Sequence, residues 1–160
     1  MAFRGRGVWS DERGVNLLDT GAPFYDTYET SDGKYMAVGS IEPPQFYALL
    51  LEGLELDPAT LPHQMDTSKW DDMKKLFTEK FLSKTRDEWA KIFLGTDACV
   101  SPPVLTFAEA PSNEHIAARG SLIELDGVTQ HAPAPRFSRT PTTTPAAPAR
   151  EATDIDTVWT

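Results

Sequence analysis

The chain has 160 residues, 40% of them hydrophobic and 24% charged, with a formal net charge of −9. That length and balance suit one soluble globular domain with a core of its own, while the acidic excess argues against nucleic acid, whose phosphates need a basic face. No apolar stretch reaches membrane-spanning length and Met1–Gly7 lacks a signal-peptide core, so no membrane partner is expected and cytoplasm is the default compartment.

Residues 1–12 run from basic to acidic without periodicity and read as a lead-in segment. Phe24–Thr30 and Lys34–Ile41 are β-rich runs separated by Ser31-Asp32-Gly33, a hairpin signal. Pro43-Pro44 and the apolar run that follows predict a helix from about Pro43 to Gly53, with the proline in its first turn and Gly53 as its C-terminal stop.

Thr67 opens the clearest helix, with Trp70, Met73, Phe77, Phe81 and Leu82 on one face. Thr85-Arg86-Asp87-Glu88 is a capping-box pattern for a helix that buries Trp89, Ile92 and Phe93 and ends at Gly95. Thr106–Glu109 repeats that pattern before a short helix, and 113–119 reads as another. Leu122–Leu125 and Val128–His131, joined by Asp126-Gly127, predict a second hairpin. From Ala132 to Arg150 the chain is Pro, Ala and Thr with few apolar residues, and disorder is expected beyond about residue 140.

Glu42 stands where the second strand gives way to the first long helix. A carboxylate there faces unpaired N–H groups and the positive end of the helix dipole, which would hold it and keep it ionised. The plain alternative is that Glu42 only caps the helix.

The block from Asn16-Leu17-Leu18-Asp19-Thr20-Gly21-Ala22-Pro23 to Gly39-Ser40-Ile41-Glu42-Pro43 resembles the α-methylacyl-CoA racemases, members of the family III CoA-transferases. Gly95-Thr96-Asp97-Ala98-Cys99-Val100-Ser101-Pro102, Trp70–Phe77 and Asp87-Glu88-Trp89 carry the same likeness, from about Arg13 to about Thr140. The resemblance implies an α+β fold: the small domain of the family III CoA-transferase fold with a C-terminal return strap, the large CoA-binding α/β domain being absent. It divides the chain into an interdomain segment (1–23), a small α+β domain (24–120), and a second hairpin with a Pro/Ala/Thr-rich strap (121–160).

It also implies a reaction. The α-proton of a 2-methylacyl-CoA thioester is removed and returned through an enolate, which needs two acid–base groups and donors to the enolate oxygen. In the family a histidine and an aspartate of the large domain do this, ahead of the matched region. The chain alone is therefore expected to be inactive, with the large domain supplied elsewhere, acyl-CoA as substrate and no cofactor. Glu42 falls on the glutamate that orients the catalytic histidine across the subunit boundary, and Leu18 and Tyr25 fall in the segment lining the acyl side. Their alternative is ordinary core or interface packing. A homo-oligomer is expected, because loss of the large domain exposes an apolar face.

His63, His115 and His131 match no motif and are expected at the surface. Cys99 cannot form an internal disulfide and, in an apolar run, is expected as a buried structural thiol. No metal-ligand spacing and no Gly-rich phosphate loop occurs. The competing functions are a family III CoA-transferase, whose aspartate nucleophile would also lie in the large domain, and a non-catalytic complementation or dimerisation module.

Three positions depart from the family pattern. Thr20 replaces a glycine, which is strained if the backbone there has positive φ. Pro44 and Pro103 each double a single proline. The first would rotate the following helix by about 100° unless a loop absorbs it.

Overall fold

The computed structural model describes residues 2–100 and 103–146. The chain divides into two compact units, Met1–Val104 and Leu105–Thr160, and both mix helices with small antiparallel sheets.

In the first unit a short helix α1 (Ala2–Gly5) precedes strands β1 (Tyr25–Glu29) and β2 (Tyr35–Gly39), helix α2 (Pro44–Gly53), helix α3 (Trp70–Phe81) and helix α4 (Arg86–Phe93). Helix α1 was not expected from the aperiodic lead-in; it buries no residue, and an exposed Arg4–Asp11 ion pair at 2.6 Å lies beside it.

β1 and β2 form the expected hairpin, with Tyr25 opposite Gly39 and Glu29 opposite Tyr35. The turn works because Gly33 takes φ +70, its N–H bonding Thr30 O at 2.9 Å while Thr30 N–H bonds Lys34 O at 2.8 Å. Asp32 ties this turn to α4, accepting from Thr30 Oγ1 at 2.6 Å and from Arg86 N–H at 3.1 Å. On its other edge β2 meets isolated bridges, Val38 with Val100 and Tyr35 with Val104. Phe24, Tyr28, Met36, Val38 and Ser40 point inward, as the two-residue strand period requires.

Helix α3 lays Trp70, Met73, Phe77 and Phe81 into the core, where Tyr28 stacks on Phe81 at 5.0 Å. Leu82 does not join them. It is the C-cap residue of α3 and is exposed, because at helical spacing it lies about 100° round from Phe81, off the buried stripe. The helix starts at Trp70, and the preceding turn Thr67–Lys69 is a 3-10 turn capped by Asp66, which accepts from Ser68 N–H. The α4 capping box is formed as expected between Thr85 and Glu88, and Gly95 takes φ +83 just beyond the helix. Trp89 and Phe93 are buried; Ile92 packs only partly against the core.

Helix α2 corrects the reading of its last glycine. Its termination comes from Glu55 at φ +56, with Leu56 N–H bonding Leu51 O and Glu55 N–H bonding Glu52 O at 2.9 and 3.0 Å, a left-handed C-terminal motif without glycine. Gly53 is needed for space instead. A Cβ there would stand 2.3 Å from Phe93 Cε1.

The second unit holds a 3-10 turn at Ala110–Ser112, helix α5 (Glu114–Ala118), and strands β3 (Leu122–Leu125) and β4 (Val128–His131). Thr106 and Glu109 make both bonds of a capping box, yet only a turn and the 3-10 segment follow, since Pro111 interrupts the next turn. Asn113 caps α5 through Ile116 N–H. The β3–β4 hairpin turns on Asp126 and Gly127, both at positive φ as a type I′ turn demands. Residues 141–146 carry no helix or strand. The remainder of the segment expected to be disordered, 147–160, lies outside the described residues, as does Pro102 of the second doubled proline. No helix is long and apolar enough to cross a membrane among the described residues.

Candidate functional site around the end of the second strand

The segment leading into β1 is built on Asn16, which is buried. Its Nδ2 donates to Ser10 O, Glu12 O and Asp19 Oδ2 at 3.2, 3.1 and 2.6 Å, and its Oδ1 accepts from Ser10 N–H at 2.6 Å. Asp19 also accepts from the Gly14 and Asn16 backbone N–H groups. These bonds, the Asn16 side chain first, hold the Asp19 carboxyl below its ordinary range. Leu18 and Tyr25 lie on the surface, 41% and 37% exposed, so neither packs into the core, and interface packing stays open as their plain alternative.

Between them Thr20 has φ +73, the conformation that a β-branched residue tolerates poorly. Lys74 of α3 holds it there, donating to Thr20 O while pairing with Asp26 Oδ2 at 2.8 Å. Left-handed geometry costs a non-glycine residue about 1–2 kcal/mol, and glycine returns part of that as unfolded-state entropy. Thr20→Gly is therefore expected to stabilise the chain by about 1 kcal/mol, raising Tm by roughly 3 °C in thermal melts; a fall in Tm would mean that the Thr20 side chain matters more than its backbone strain.

Glu42 is exposed and is the third residue after β2, with a cis Glu42–Pro43 bond. It does not cap α2: the N-cap is Pro43, without a side-chain cap bond, and Pro44 occupies the first helical position, where its missing N–H leaves no bond unmade. The doubled proline is thus divided between cap and helix. Among the described residues Glu42 makes no hydrogen bond or ion pair, so the helix terminus does not hold the carboxylate as expected. What is held is the backbone before it. Ser40 is fully buried, its Oγ donating to Ala98 O and its N–H to Phe24 O. Gln64 Nε2 donates to Ser40 O at 3.0 Å and Ile41 O at 3.1 Å.

Tyr25 lies opposite Gly39, which brings it to the end of the hairpin from which Glu42 projects. No hydrogen bond, ion pair or ring contact joins Leu18, Tyr25 and Glu42. His63, His115 and His131 are all exposed, as expected, and none bonds Glu42. Cys99 is a correction: it is exposed. Its neighbours Ala98 and Val100 are buried and Cys99 faces outward between them at φ +49, while its carbonyl accepts from Gly39 N–H.

Sequence reasoning missed Gln64, Lys74 and Ser40. Each acts across a long separation, and no local pattern marks a glutamine in a Leu-Pro-His-Gln loop. No cluster of three or more metal-ligating side chains occurs among the described residues. A recess of about 290 Å³ lies in the second unit beside Ile123, Arg136 and Phe137; none of the expected site residues lines it.

The sequence profile of CoA-transferase family III matches residues 7–153. The chain is 56% identical to an α-methylacyl-CoA racemase of Mus musculus over 137 residues and 52% identical to that of Homo sapiens over 136, covering 84% of this chain and 35% of each relative. A CaiB/baiF CoA-transferase family protein of Caenorhabditis elegans is 37% identical over 123 residues, covering 75% of this chain and 33% of the relative. The chain thus spans about a third of the length of these relatives. The crystal structure of Rv3272 from M. tuberculosis, orthorhombic form, shares the fold with a TM-score of 0.60 at 15% identity, over 78% of this chain and 36% of that one.

Proposed function

Because the chain belongs to CoA-transferase family III, we propose that it forms the C-terminal part of an α-methylacyl-CoA racemase. The observation that carries this reading is its identity with two relatives named as such racemases, 56% and 52%, against 37% for the CoA-transferase family relative.

In this reading the chain supplies the family's small α+β domain and a return strap after residue 131. In the family the acid–base histidine and aspartate belong to the large CoA-binding domain, ahead of the region that this chain matches. The substrate is a 2-methylacyl-CoA thioester of fatty acid metabolism, and no cofactor is required, since the thioester carbonyl itself takes up the charge as the α-proton leaves. One group takes that proton from one face of the α-carbon and another returns a proton to the opposite face of the planar enolate. Glu42 accepts a hydrogen bond from one N–H of the histidine, fixing its tautomer so that the other ring nitrogen serves as base. Leu18 and Tyr25 offer apolar surface to the acyl chain. A homo-oligomer of the completed protein follows, since Glu42 acts across a subunit boundary. We assign it to the cytoplasm.

Proton exchange in D₂O tests the reading. The purified chain alone is expected to incorporate no deuterium into a 2-methylacyl-CoA, and adding the large domain of a family racemase is expected to start exchange. Exchange by the chain alone that disappears in Glu42→Ala would sink the divided-site reading. The C. elegans relative keeps a family III CoA-transferase as the second reading; net CoA transfer to an added carboxylate, without α-deuteration, would favour it. Assembly with the large domain without either reaction would leave a non-catalytic complementation module.

A further inference from the structure

We propose that Gln64 is a positioning residue for Glu42, an inference that rests on the role given to Glu42 above. The β1–β2 pairing ends at Tyr25 opposite Gly39. Beyond it, the carbonyl oxygens of Ser40 and Ile41 are bound by one side chain, Gln64, through Nε2 at 3.0 and 3.1 Å. A primary amide has two N–H donors, so both are spent on consecutive carbonyls immediately before Glu42.

The brace is anchored at its own base. Gln64 O accepts from Trp70 Nε1 at 3.0 Å, and the buried Trp70 ring meets Phe24 edge-to-face at 5.8 Å. Phe24 O in turn accepts from Ser40 N–H at 2.9 Å. A closed circuit results: Phe24, Trp70, Gln64, Ser40 and back to Phe24. Glu42 projects from this circuit with no bond of its own among the described residues, so its aim is set by the backbone that Gln64 holds. The neutral amide suits this task because it adds no charge to compete for the carboxylate.

Gln64→Met keeps the side-chain length and removes both donors. In the purified chain, ¹H–¹⁵N NMR is expected to show the Glu42 amide resonance displaced and the Trp89 indole resonance unmoved. In the chain assembled with the family's large domain, kcat for α-proton exchange is expected to fall about tenfold, with KM within about twofold, as a small misplacement of a catalytic constellation would cause. Thr85→Ala, which removes a helix cap elsewhere, should lower Tm without changing kcat. An unmoved Glu42 amide in Gln64→Met, or an unchanged kcat where Glu42→Gln lowers it, overturns the proposal. If Glu42→Gln leaves exchange untouched, it is the role of Glu42 that fails, and the NMR result alone then decides whether Gln64 positions it. Should Gln64→Met fail to fold, Gln64→Asn keeps the neutral amide and shortens its reach: a displaced Glu42 amide together with a lowered kcat supports the proposal, and a folded variant with either one unchanged overturns it.

Discussion

Glu42→Gln is expected to lower kcat for α-proton exchange about 100-fold in the assembled enzyme while leaving KM nearly unchanged. A carboxylate beside an imidazole favours its protonated form and raises its basicity, an effect of about 1–3 pKa units. Loss of about two units corresponds to about 2.7 kcal/mol and about two decades in rate. KM is spared because Glu42, in this role, touches the histidine and not the substrate. The pH profile gives an independent check. Without the carboxylate the histidine pKa falls, so the acid limb of the exchange rate should move to lower pH. A kcat within about threefold of the parent, with an unmoved acid limb, would remove Glu42 from the mechanism. The glutamine is chosen because it keeps size and one acceptor while deleting charge.

Gly21→Ala is expected to destabilise the chain by about 3 kcal/mol and to lower Tm by roughly 10 °C. A Cβ at Gly21 would lie 2.3 Å from the Val15 carbonyl carbon, 2.5 Å from Asn16 O and 2.6 Å from Asn16 N. All three are backbone atoms, so no rotamer change relieves the clash. Nor can residues 15 and 16 retreat cheaply: the Gly21 N–H bonds Asn16 O at 3.0 Å, and Asn16 is fastened to Ser10, Glu12 and Asp19. Moving that segment would leave buried amide groups unsatisfied, at about 1–3 kcal/mol each. Gly5→Ala is the matched control, because a Cβ there meets nothing within 4 Å. A Tm loss of only about a degree for Gly21→Ala would show that the segment yields more easily than its bonding implies.

The parts of this fold that are legible in the sequence are those fixed by residues close together. Asp126-Gly127 dictates its hairpin because two adjacent residues must take positive φ, and Thr85 with Glu88 dictates the start of α4 because the two side chains reach each other's backbone. The likeness of residues 16–43 to the racemases is legible for a different reason, being a long specific string, and the family is borne out. What misled was context. Gly53 looks like a helix stop, but its function comes from Phe93, forty positions away in the chain. Cys99 looks buried because its neighbours are apolar, but it is exposed between buried Ala98 and Val100. The Thr106–Glu109 pair makes its bonds without the helix they usually begin, because Pro111 comes too soon.

The sequence marks candidate-site residues only as single positions, and the contacts that support them are not marked at all. Nothing around Gln64 in sequence says that its amide will meet Ser40, and nothing near Lys74 points to Thr20.

The same separation sets the order in which the chain acquires its parts. The turns at 31–33 and 126–127 close very short loops and can form early in folding. The surroundings of Glu42 cannot: Gln64 reaches back 23 and 24 residues, and Ser40 waits for the carbonyl of Ala98, 58 residues on. Loop closure of that length must precede any benefit from the contact. During synthesis, then, the hairpin that carries Glu42 can exist long before its exit is fixed. The backbone that leads into Glu42 gains its full set of bonds only after residue 98 has left the ribosome and docked against it.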